Sequence, residues 1–356
     1  MSSQPSEPGV ADLEKITTAA PASARERVRA RVLRSVDSWL VVVAVGALLV
    51  ASLRLMPFQT PFPLSAIEAE ARWAGAAAIV GLAIALLRRS RRTALALGAS
   101  LVVLVPWSLE WLPAALAHEG GRHVDLRVLT TNLLAPSPTP ALAREIRDSE
   151  ADVVLVQEAS DEWWDVLEAE GVLARYPHRV EETHSFREDY MGIAILSRLP
   201  IVRSGVARLG GTYVPYAWAD VLVGERTVRV LSIHTWPPYV PELLELHLRQ
   251  MAHLRALARA DLADPALDAV IFAGDYNASP MSRQYRLLRD TGLVSAHERV
   301  GRGFATTWPN LAVPIPPMRL DHVLVGGRGV EVVSVREGIG EGSDHLPVFV
   351  ELSLAP

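Results

Sequence analysis

The sequence of 356 residues predicts an α/β domain with two sheets, preceded by an apolar helical region. Three observations lead to this prediction. Short β-rich runs alternate with helical runs from His123 onward, three apolar blocks occupy the first third, and polar side chains border several of the β-rich runs. Mixed strands and helices over this length are typical of an α/β fold.

The N-terminal third is expected to be a tail followed by a membrane region. Residues 1–36 are rich in Ser, Pro, Ala and Glu, which predicts a disordered tail, and arginines crowd its end. A membrane region over 37–117 follows, with spans at about 39–57, 73–87 and 93–111. Each block approaches the roughly 20 apolar residues that a membrane span needs. A buried helical hairpin and, for the first block, a cleaved signal peptide stay open as alternatives.

The arginines predict the orientation of this region. One cluster precedes the first block, and Arg88-Arg89-Ser90-Arg91-Arg92 joins the second block to the third. Because cytoplasmic loops are enriched in Lys and Arg, both clusters are expected in the cytoplasm. Three spans then place the remaining chain outside. The sequence thus predicts a multi-pass protein of the cell membrane with an extracytoplasmic domain and the lipid bilayer as a partner.

The charge and the cysteine content of the chain limit which metal ligands and which substrates can be expected. The chain has no cysteine, so metal ligands must be Asp, Glu, His or Asn, which suits a hard cation such as Mg²⁺. Residues 123–356 contain 22 basic and 31 acidic side chains. This acidic balance argues against a broad electrostatic grip on nucleic acid.

Four helices are expected among the strands of the second region, at Pro140–Ser149, Asp161–Ala169, Pro241–Leu262 and Ser282–Arg289. Asp161 is the expected N-cap of the second. The longest helix has a leucine stripe at helical spacing, and its His247 and His253 are expected at the surface or at the edge of the apolar face rather than as ligands.

Residues able to do chemistry stand at the ends of predicted strands. They are Asn132 after 126–131, Gln157-Glu158 after 153–156, His234 after 227–233, Asp275 and Asn277 after 269–272, Asp321-His322 before 323–325, and Asp344-His345 before 348–352. Acids, amides and imidazoles gathered in this way are typical of metal-assisted attack on a phosphate ester. The sequence contains no Gly-x-x-x-x-Gly-Lys loop, Gly-x-Ser-x-Gly elbow or His-Glu-x-x-His helix.

These motifs resemble those of the endonuclease/exonuclease/phosphatase superfamily over roughly residues 124–354. The resemblance rests on seven segments in the family order: Leu129–Asn132, Leu155–Glu158, Tyr190–Ser197, Ser232–His234, Gly274–Asn277, Arg319–His322 and Gly342–His345. It implies a four-layered α/β/β/α sandwich, a catalytic domain over 123–356 and a site at one edge of the paired sheets.

The resemblance also implies roles for single residues. Glu158 would be the main Mg²⁺ ligand, with Asn132 beside the metal, Asp344 supporting the metal or its waters, and Mn²⁺ as a possible substitute. His345 would contact the scissile phosphate or act as a base, oriented by Asp321.

Four further residues would complete such a site. Asp275 would position the attacking water, and Asn277 would donate to a phosphoryl oxygen. His234 is a candidate acid for the leaving oxygen, and Tyr190 matches a phosphate-contacting tyrosine. The pair Thr307-Trp308 resembles a family segment that is expected to be structural.

The function predicted from the sequence is a membrane-anchored, Mg²⁺-dependent hydrolase of a phosphodiester or phosphomonoester that uses in-line attack by water. Its substrate would be a lipid, a small molecule or a nucleic acid. An extracytoplasmic endonuclease or exonuclease and a non-catalytic receptor or scaffold on the same fold are the alternatives. The stiff aromatic loop 235–241 would shape the substrate pocket, touch the membrane or merely connect two elements. The sequence indicates no protein partner.

Overall fold

The computed structural model describes residues 24–56, 59, 61, 63–109, 123–185, 187 and 190–354. Its helices are α1 Ala24–Leu55, α2 Leu64–Ala69, α3 Ala71–Leu87, α4 Arg91–Leu109, α5 Pro140–Asp148, α6 Asp161–Ala169, α7 Val172–Arg175, α8 Pro241–Ala263, α9 Arg283–Arg289 and α10 Ala296–Arg299. Its strands are β1 Leu126–Asn132, β2 Val153–Gln157, β3 His178–Glu182, β4 Ile193–Ser197, β5 Ile201–Arg208, β6 Pro215–Val223, β7 Arg226–His234, β8 Ala269–Asp275, β9 Val294–Ser295, β10 Asp321–Gly327, β11 Val330–Glu337 and β12 Val348–Leu354.

The strands form two six-stranded sheets. The first has the order β11-β12-β1-β2-β4-β3, and the second has the order β5-β6-β7-β8-β10-β9. Each sheet contains one parallel pair, β1 with β2 and β7 with β8, while the other neighbours are antiparallel. The two parallel pairs therefore send the carboxyl ends of four strands toward the loops that carry the polar motifs.

Apolar side chains fill the space between the sheets and beneath the outer helices. Val128 and Ile195 of the first sheet share one buried cluster with Val230 and Ile271 of the second. Trp163 of α6 packs on the outer face of the first sheet, and residues of α8 and α9 pack on the outer face of the second. The predicted four-layered sandwich is confirmed.

The predicted helices within residues 123–356 are also found, with two local corrections. Ser160, rather than Asp161, caps α6, because its hydroxyl accepts a hydrogen bond from Trp163 N at 3.3 Å. His247 is not at the surface. It is 1% exposed, and its Nδ1 donates to the carbonyl of Trp236 at 2.9 Å. Burial lowers the pKa of His247 to about 4, so the ring is neutral in the fold.

The N-terminal region differs from the prediction in two respects. The helix α1 begins at Ala24, so residues 24–36 are helical rather than part of a disordered tail, and residues 1–23 lie outside the described chain. Within the described residues one segment, Arg31–Leu55, is long and apolar enough to cross a membrane. The prediction of three spans is wrong by this criterion: Trp73–Leu87 is too short, and the third block continues past Leu109 outside the described residues.

The helices of this region contact the two-sheet domain at one end. Arg54, near the end of α1, donates to the carbonyl of Met281 and pairs with Glu68 at 3.2 Å. In the first half of α1, Asp37 accepts two hydrogen bonds of 2.9 Å from Arg88. The arginine-rich turn and the two-sheet domain therefore contact α1 at separate places, at residues 37 and 54.

Candidate active site

The two sheets bring the predicted polar residues together at one edge. Because β7 and β8 are parallel, His234 stands opposite Asp275, and because β10 runs antiparallel to β8, Asp321 stands on the other side of Asp275. Side chains at paired positions of neighbouring strands point to the same face of a sheet. In the first sheet, Asn132 is paired in the same way with Gln157. We name the gathered residues the site cluster: Asn132, Glu158, His234, Asp275, Asn277, Asp321, Asp344 and His345.

The backbone at Asp275 requires the glycine before it. Gly274 has φ +144°, and a Cβ there would lie 1.9 Å from the carbonyl oxygen of Ile233. Only glycine fits so close to the neighbouring strand. This close approach fixes Asp275 beside His234, whose Nε2 is 3.7 Å from Asp275 Oδ2.

Glu158 leaves β2 in a conformation that few non-glycine residues adopt, with φ 52°. The turn directs its carboxylate toward β1, where Oε1 accepts from Asn132 Nδ2 at 2.9 Å and Oε2 accepts from Ala135 N at 3.2 Å. Burial raises the pKa of Glu158, and these two hydrogen bonds oppose the rise. Backbone strain of this kind is common at functional sites.

Asn132 has all of its polar atoms engaged. Its amide nitrogen donates to Glu158 and to Asp275 Oδ2, the latter at 3.2 Å, while its oxygen accepts from Leu134 N at 3.0 Å. These contacts favour a role in which Asn132 joins two carboxylates from different sheets. Its role as a metal ligand stays a prediction.

Asn277 also has a positive φ, of 43°. Its amide nitrogen donates to Thr235 O at 2.8 Å and, over a longer distance of 3.3 Å, to Asp275 Oδ2. The backbone N–H of Asn277 donates to Asp275 Oδ1 at 2.8 Å. The predicted donation to a phosphoryl oxygen would replace the long bond to Asp275.

The turn before β12 delivers His345 to Asp321. Gly342 has φ +99°, and Ser343 Oγ accepts from His345 N at 3.0 Å while it donates to the carbonyl of Asn132. His345 Nδ1 then lies 2.8 Å from Asp321 Oδ2, and the role of Asp321 in orienting the imidazole stays a prediction. The other ring nitrogen is 3.7 Å from Asp275 Oδ2.

The charges of this group displace the pKa values of both His345 and Asp275. Burial disfavours the imidazolium of His345, but the carboxylates of Asp321 and Asp275 outweigh burial and raise its pKa to about 10. Burial raises the pKa of Asp275 to about 6, while the charge of His345 opposes the rise. At neutral pH, His345 is therefore a cation and Asp275 mainly an anion.

Asp344 and Tyr190 lie at the margin of the cluster. Trp308 Nε1 donates to Asp344 Oδ2 at 3.1 Å, which fixes the direction of that carboxylate. Tyr190 is 47% exposed, and its ring stands edge-on to Trp236 with centroids 6.3 Å apart. The contact of Tyr190 with a phosphate stays a prediction.

Two contacts that support the site could not be predicted from the strand-end pattern alone. Gln157, which is fully buried, donates to Ser232 Oγ at 3.0 Å and so joins the two sheets beneath the cluster. Thr307 Oγ1 accepts from the backbone N–H groups of Leu320 and Asp321 at 3.0 and 3.1 Å. Both depend on contacts between segments that are distant in sequence.

The site cluster has a surplus of negative charge. Its four carboxylates, those of Glu158, Asp275, Asp321 and Asp344, form no ion pair with an arginine or lysine within the described chain. Asp321 Oδ1 is buried and lacks a hydrogen-bond partner among the described residues. Ligand atoms of Asp275, Asp321 and His345 also lie within 4.8 Å of one another. Such an oxygen-rich, acidic group fits a hard divalent cation.

Within this group the observations favour Glu158 as the metal ligand over His345. The imidazole of His345 is already bonded to Asp321 and is protonated at neutral pH, whereas an imidazole must be neutral to bind a metal. Glu158 offers two carboxylate oxygens, which are held by neutral amides alone. The predicted assignment of Glu158 is therefore compatible with the geometry, and it remains a prediction.

The chain is similar to known proteins of one family. The model of the endonuclease/exonuclease/phosphatase family matches residues 129–345. D. rerio TDP2, solved with a single-strand DNA product, is 17% identical, with a TM-score of 0.52, covering 64% of this chain and 98% of its own. Truncated Caenorhabditis elegans TDP2 is 16% identical, with a TM-score of 0.52 and coverages of 64% and 96%.

A bacterial structure shows the same fold. The endonuclease/exonuclease/phosphatase protein from Beutenbergia cavernae is 21% identical, with a TM-score of 0.50, and the match covers 65% of this chain and 72% of its own. No curated protein matches the sequence. The family model spans more than half of the chain, in the segment that builds the two sheets and the site cluster. The chain therefore belongs to the endonuclease/exonuclease/phosphatase family.

Proposed function

We propose that the chain is a membrane-anchored, divalent-metal-dependent phosphoesterase that hydrolyses a phosphodiester or phosphomonoester by in-line attack of water. The observation that carries this proposal is the surplus of carboxylates beside the Asp321–His345 pair at the strand ends. A phosphate ester brings negative charge, so a site for it needs a cation as well as hydrogen-bond donors.

Mg²⁺ is the proposed ion, with Glu158 as its main ligand and Asn132 and Asp344 beside it. When bound, the ion would neutralise negative charge that develops on the phosphate oxygens. The protein's part is to hold the carboxylates in place before the ion arrives. Asn132 does this for Glu158, and Trp308 does it for Asp344.

Asp275 is the group best suited to accept a proton from the attacking water. Its pKa of about 6 leaves it ionised at neutral pH and close to the operating range of a general base. Its two oxygens are fixed by the backbone and amide N–H groups of Asn277. Asn277 could then turn its amide toward a phosphoryl oxygen.

His345 is suited to bind the phosphate as a cation rather than to act as a base. Its pKa of about 10 keeps it protonated, and Asp321 fixes the ring so that Nε2 points toward Asp275. His234 is the remaining imidazole, with Nε2 at 3.9 Å from Glu158 Oε1. Its proposed role is to donate a proton to the leaving oxygen.

The membrane anchor is the apolar segment Arg31–Leu55 of α1. Its side chains Val41, Val42 and Val45 are more than half exposed, which suits a surrounding of lipid rather than water. The proposed anchor is therefore α1.

The proposed orientation places the catalytic domain outside the cytoplasm. The Arg88 end of α3 is bonded to Asp37 at the start of the apolar segment, and the catalytic domain contacts Arg54 at its other end. Because arginine-rich ends stay in the cytoplasm, the opposite end and the domain would face outward. A phosphatase reporter fused after Pro356 is expected to be active, and cytoplasmic reporter activity would contradict this orientation.

The activity is tested with the full-length chain in detergent. Bis-p-nitrophenyl phosphate, plasmid DNA, RNA and phospholipids are incubated with Mg²⁺, with Mn²⁺ or with chelator. The expected result is metal-dependent hydrolysis that His345→Ala abolishes and that His253→Ala, a half-buried histidine outside the site cluster, leaves unchanged. Hydrolysis of no substrate by folded protein would overturn the proposal.

A nuclease is the second candidate, and one observation favours it. Tyr190 and Tyr213 are exposed and both stand edge-on to Trp236, which offers aromatic faces on which bases can stack. The acidic balance of the domain opposes it. Affinity for single-stranded DNA that falls steeply with salt would support this candidate, and salt-independent hydrolysis of small esters alone would exclude it.

A further inference from the structure

A cavity of about 730 Å³ lies between the N-terminal helices and the loops around the site cluster. We name it the interface cavity. One wall comes from α2 and the start of α3, including Ala66 and Trp73, and the other comes from loop residues such as Pro238, Trp308 and Ile315. Its volume is within the roughly 300–1,000 Å³ that is usual for ligand pockets.

The interface cavity adjoins the site cluster. Asn277 lines it and donates to Asp275, and Trp308 lines it and donates to Asp344. A molecule in the cavity would thus end beside two of the four carboxylates that the proposed reaction uses. The cavity therefore borders the proposed reaction site and is not a separate packing defect.

The other side of the cavity belongs to the apolar anchor. Val50, which lies in the membrane-crossing segment, lines it, as do Ile67 and Trp73 of the following helices. Most of the remaining lining is apolar, from prolines, alanines, Ile315, Met318 and Leu320. Among the polar lining groups, His247 and Gln59 are hydrogen-bonded to protein atoms, and Ser65, Glu70, Asn277, Ser279 and Ser282 also line the cavity.

We infer that the interface cavity binds the hydrocarbon chain of a membrane lipid whose phosphate ester lies at the site cluster. The inference rests on the proposed phosphoesterase activity and names its substrate class. An apolar chain gains free energy when it leaves water for such a cavity, whereas the charged backbone of a nucleic acid gains nothing there. The anchor in one wall would let a lipid pass from the bilayer into the cavity without crossing water.

The test uses soluble substrates that differ only in chain length. Methyl, butyl and octyl p-nitrophenyl phosphodiesters are supplied below their micelle concentrations to the full-length chain in a steroid-based detergent, which has no linear alkyl chain. Water adds to phosphorus, the P–O bond to the p-nitrophenyl group breaks, and p-nitrophenolate leaves. The value of kcat/KM is expected to rise roughly tenfold for every two methylene groups until the cavity is full.

Two variants fill or charge the cavity from opposite walls. Ala66→Phe is expected to lower kcat/KM for the octyl ester at least tenfold while the methyl ester is hydrolysed as by the wild type. Ala76→Phe is the matched control on an exposed face of α3, outside the cavity lining, and should change neither rate. Ile315→Glu, on the catalytic-domain wall, should repeat the effect of Ala66→Phe if that variant fails to fold.

The outcomes separate the inference from the function on which it rests. Equal rates for the three esters, or a chain-length dependence that survives in Ala66→Phe and Ile315→Glu, would overturn the inference while leaving a phosphoesterase. Absence of hydrolysis of all three esters in Mg²⁺ would overturn the proposed function and the inference together.

Discussion

Two of the buried charged groups in the two-sheet domain are built differently. In the site cluster four carboxylates face imidazoles without an arginine. In a second group, the ion network of His297, Glu298, Arg302, Arg319 and Glu337, each glutamate meets an arginine. The ion network neutralises itself, whereas the site cluster does not.

The site cluster and the ion network also differ in their backbone φ angles and in the pKa values of their histidines. Glu158 and Asn277 of the site cluster have positive φ values, while no residue of the ion network does among those described. Burial lowers the pKa of His297 in the network to about 4, whereas carboxylates raise that of His345 to about 10. The network satisfies its own charges, whereas the strained, acidic cluster is the proposed site for a cation and an anionic substrate.

The largest expected effect is loss of activity in Asp275→Asn. The variant keeps the shape of the side chain but cannot accept a proton, so kcat/KM should fall about a thousandfold in the bis-p-nitrophenyl phosphate assay. Because the change also removes one of several like charges, metal-free protein should not lose thermal stability. Near wild-type activity in this variant would show that Asp275 does not take part in the reaction. The site cluster and the ion network would then not differ in function at this residue.

Next in size is the effect of Asp321→Asn, which tests the charge of His345. Asp321 raises the pKa of His345, so its loss lowers that pKa and the imidazolium disappears at a lower pH. Activity should drop about a hundredfold, and the basic limb of the pH–rate profile should move to lower pH. An unchanged basic limb would show that His345 does not act as a cation.

The ion network should respond in stability rather than in activity. Arg319 is 1% exposed and pairs with Glu298 at 3.4 Å. Arg319→Met leaves a buried glutamate without this partner, and the free energy of unfolding should fall by about 3 kcal/mol in urea denaturation. Activity per folded molecule is expected to stay as in the wild type, and a large loss of kcat in folded protein would erase the distinction between the two groups.

A related prediction concerns the pH dependence of stability through His247. Its folded pKa of about 4 lies below the ordinary value of 6.5, so the unfolded chain binds the proton more readily. The stabilisation by the neutral ring is complete above pH 6.5 and is lost as pH falls toward 4, by at most about 3 kcal/mol. Urea denaturation of the wild type and of His247→Gln should show a flatter pH dependence in the variant.

The smallest expected effect is that of Trp308→Phe. The change removes the indole donor to Asp344 while it keeps an aromatic ring, so metal affinity should weaken about fivefold to tenfold. Activity as a function of Mg²⁺ concentration measures this shift. If the curve coincides with that of the wild type, the hydrogen bond from Trp308 does not position Asp344 for metal binding.

The sequence predicted the parts of this site that depend on local pattern. Polar residues at strand ends identified Glu158, His234 and Asp275, because parallel strands gather their carboxyl ends at one edge. The bridge from Gln157 to Ser232 depends on a contact between the two sheets, which no local pattern encodes.

The N-terminal region shows the same limit. The apolar blocks predicted the helices, and three of them were expected to span the membrane. Among the described residues, only α1 contains a segment that is long and apolar enough to do so. The contact of Arg54 with Met281 joins residues that are far apart in sequence, and the interface cavity follows from it. His247 was misplaced for a related reason, since its burial depends on the carbonyl of Trp236 from the preceding loop.

The central claim, that the site cluster is a cation site, is tested most directly by thermal unfolding with and without Mg²⁺. Full-length wild type, Glu158→Gln and Glu337→Gln are melted in chelator and at a Mg²⁺ concentration about 100 times the dissociation constant. Mg²⁺ should raise the Tm of the wild type and of the network variant by about 5–10 °C and leave Glu158→Gln unchanged. An equal shift in all three proteins, or no shift in the wild type, would contradict the account.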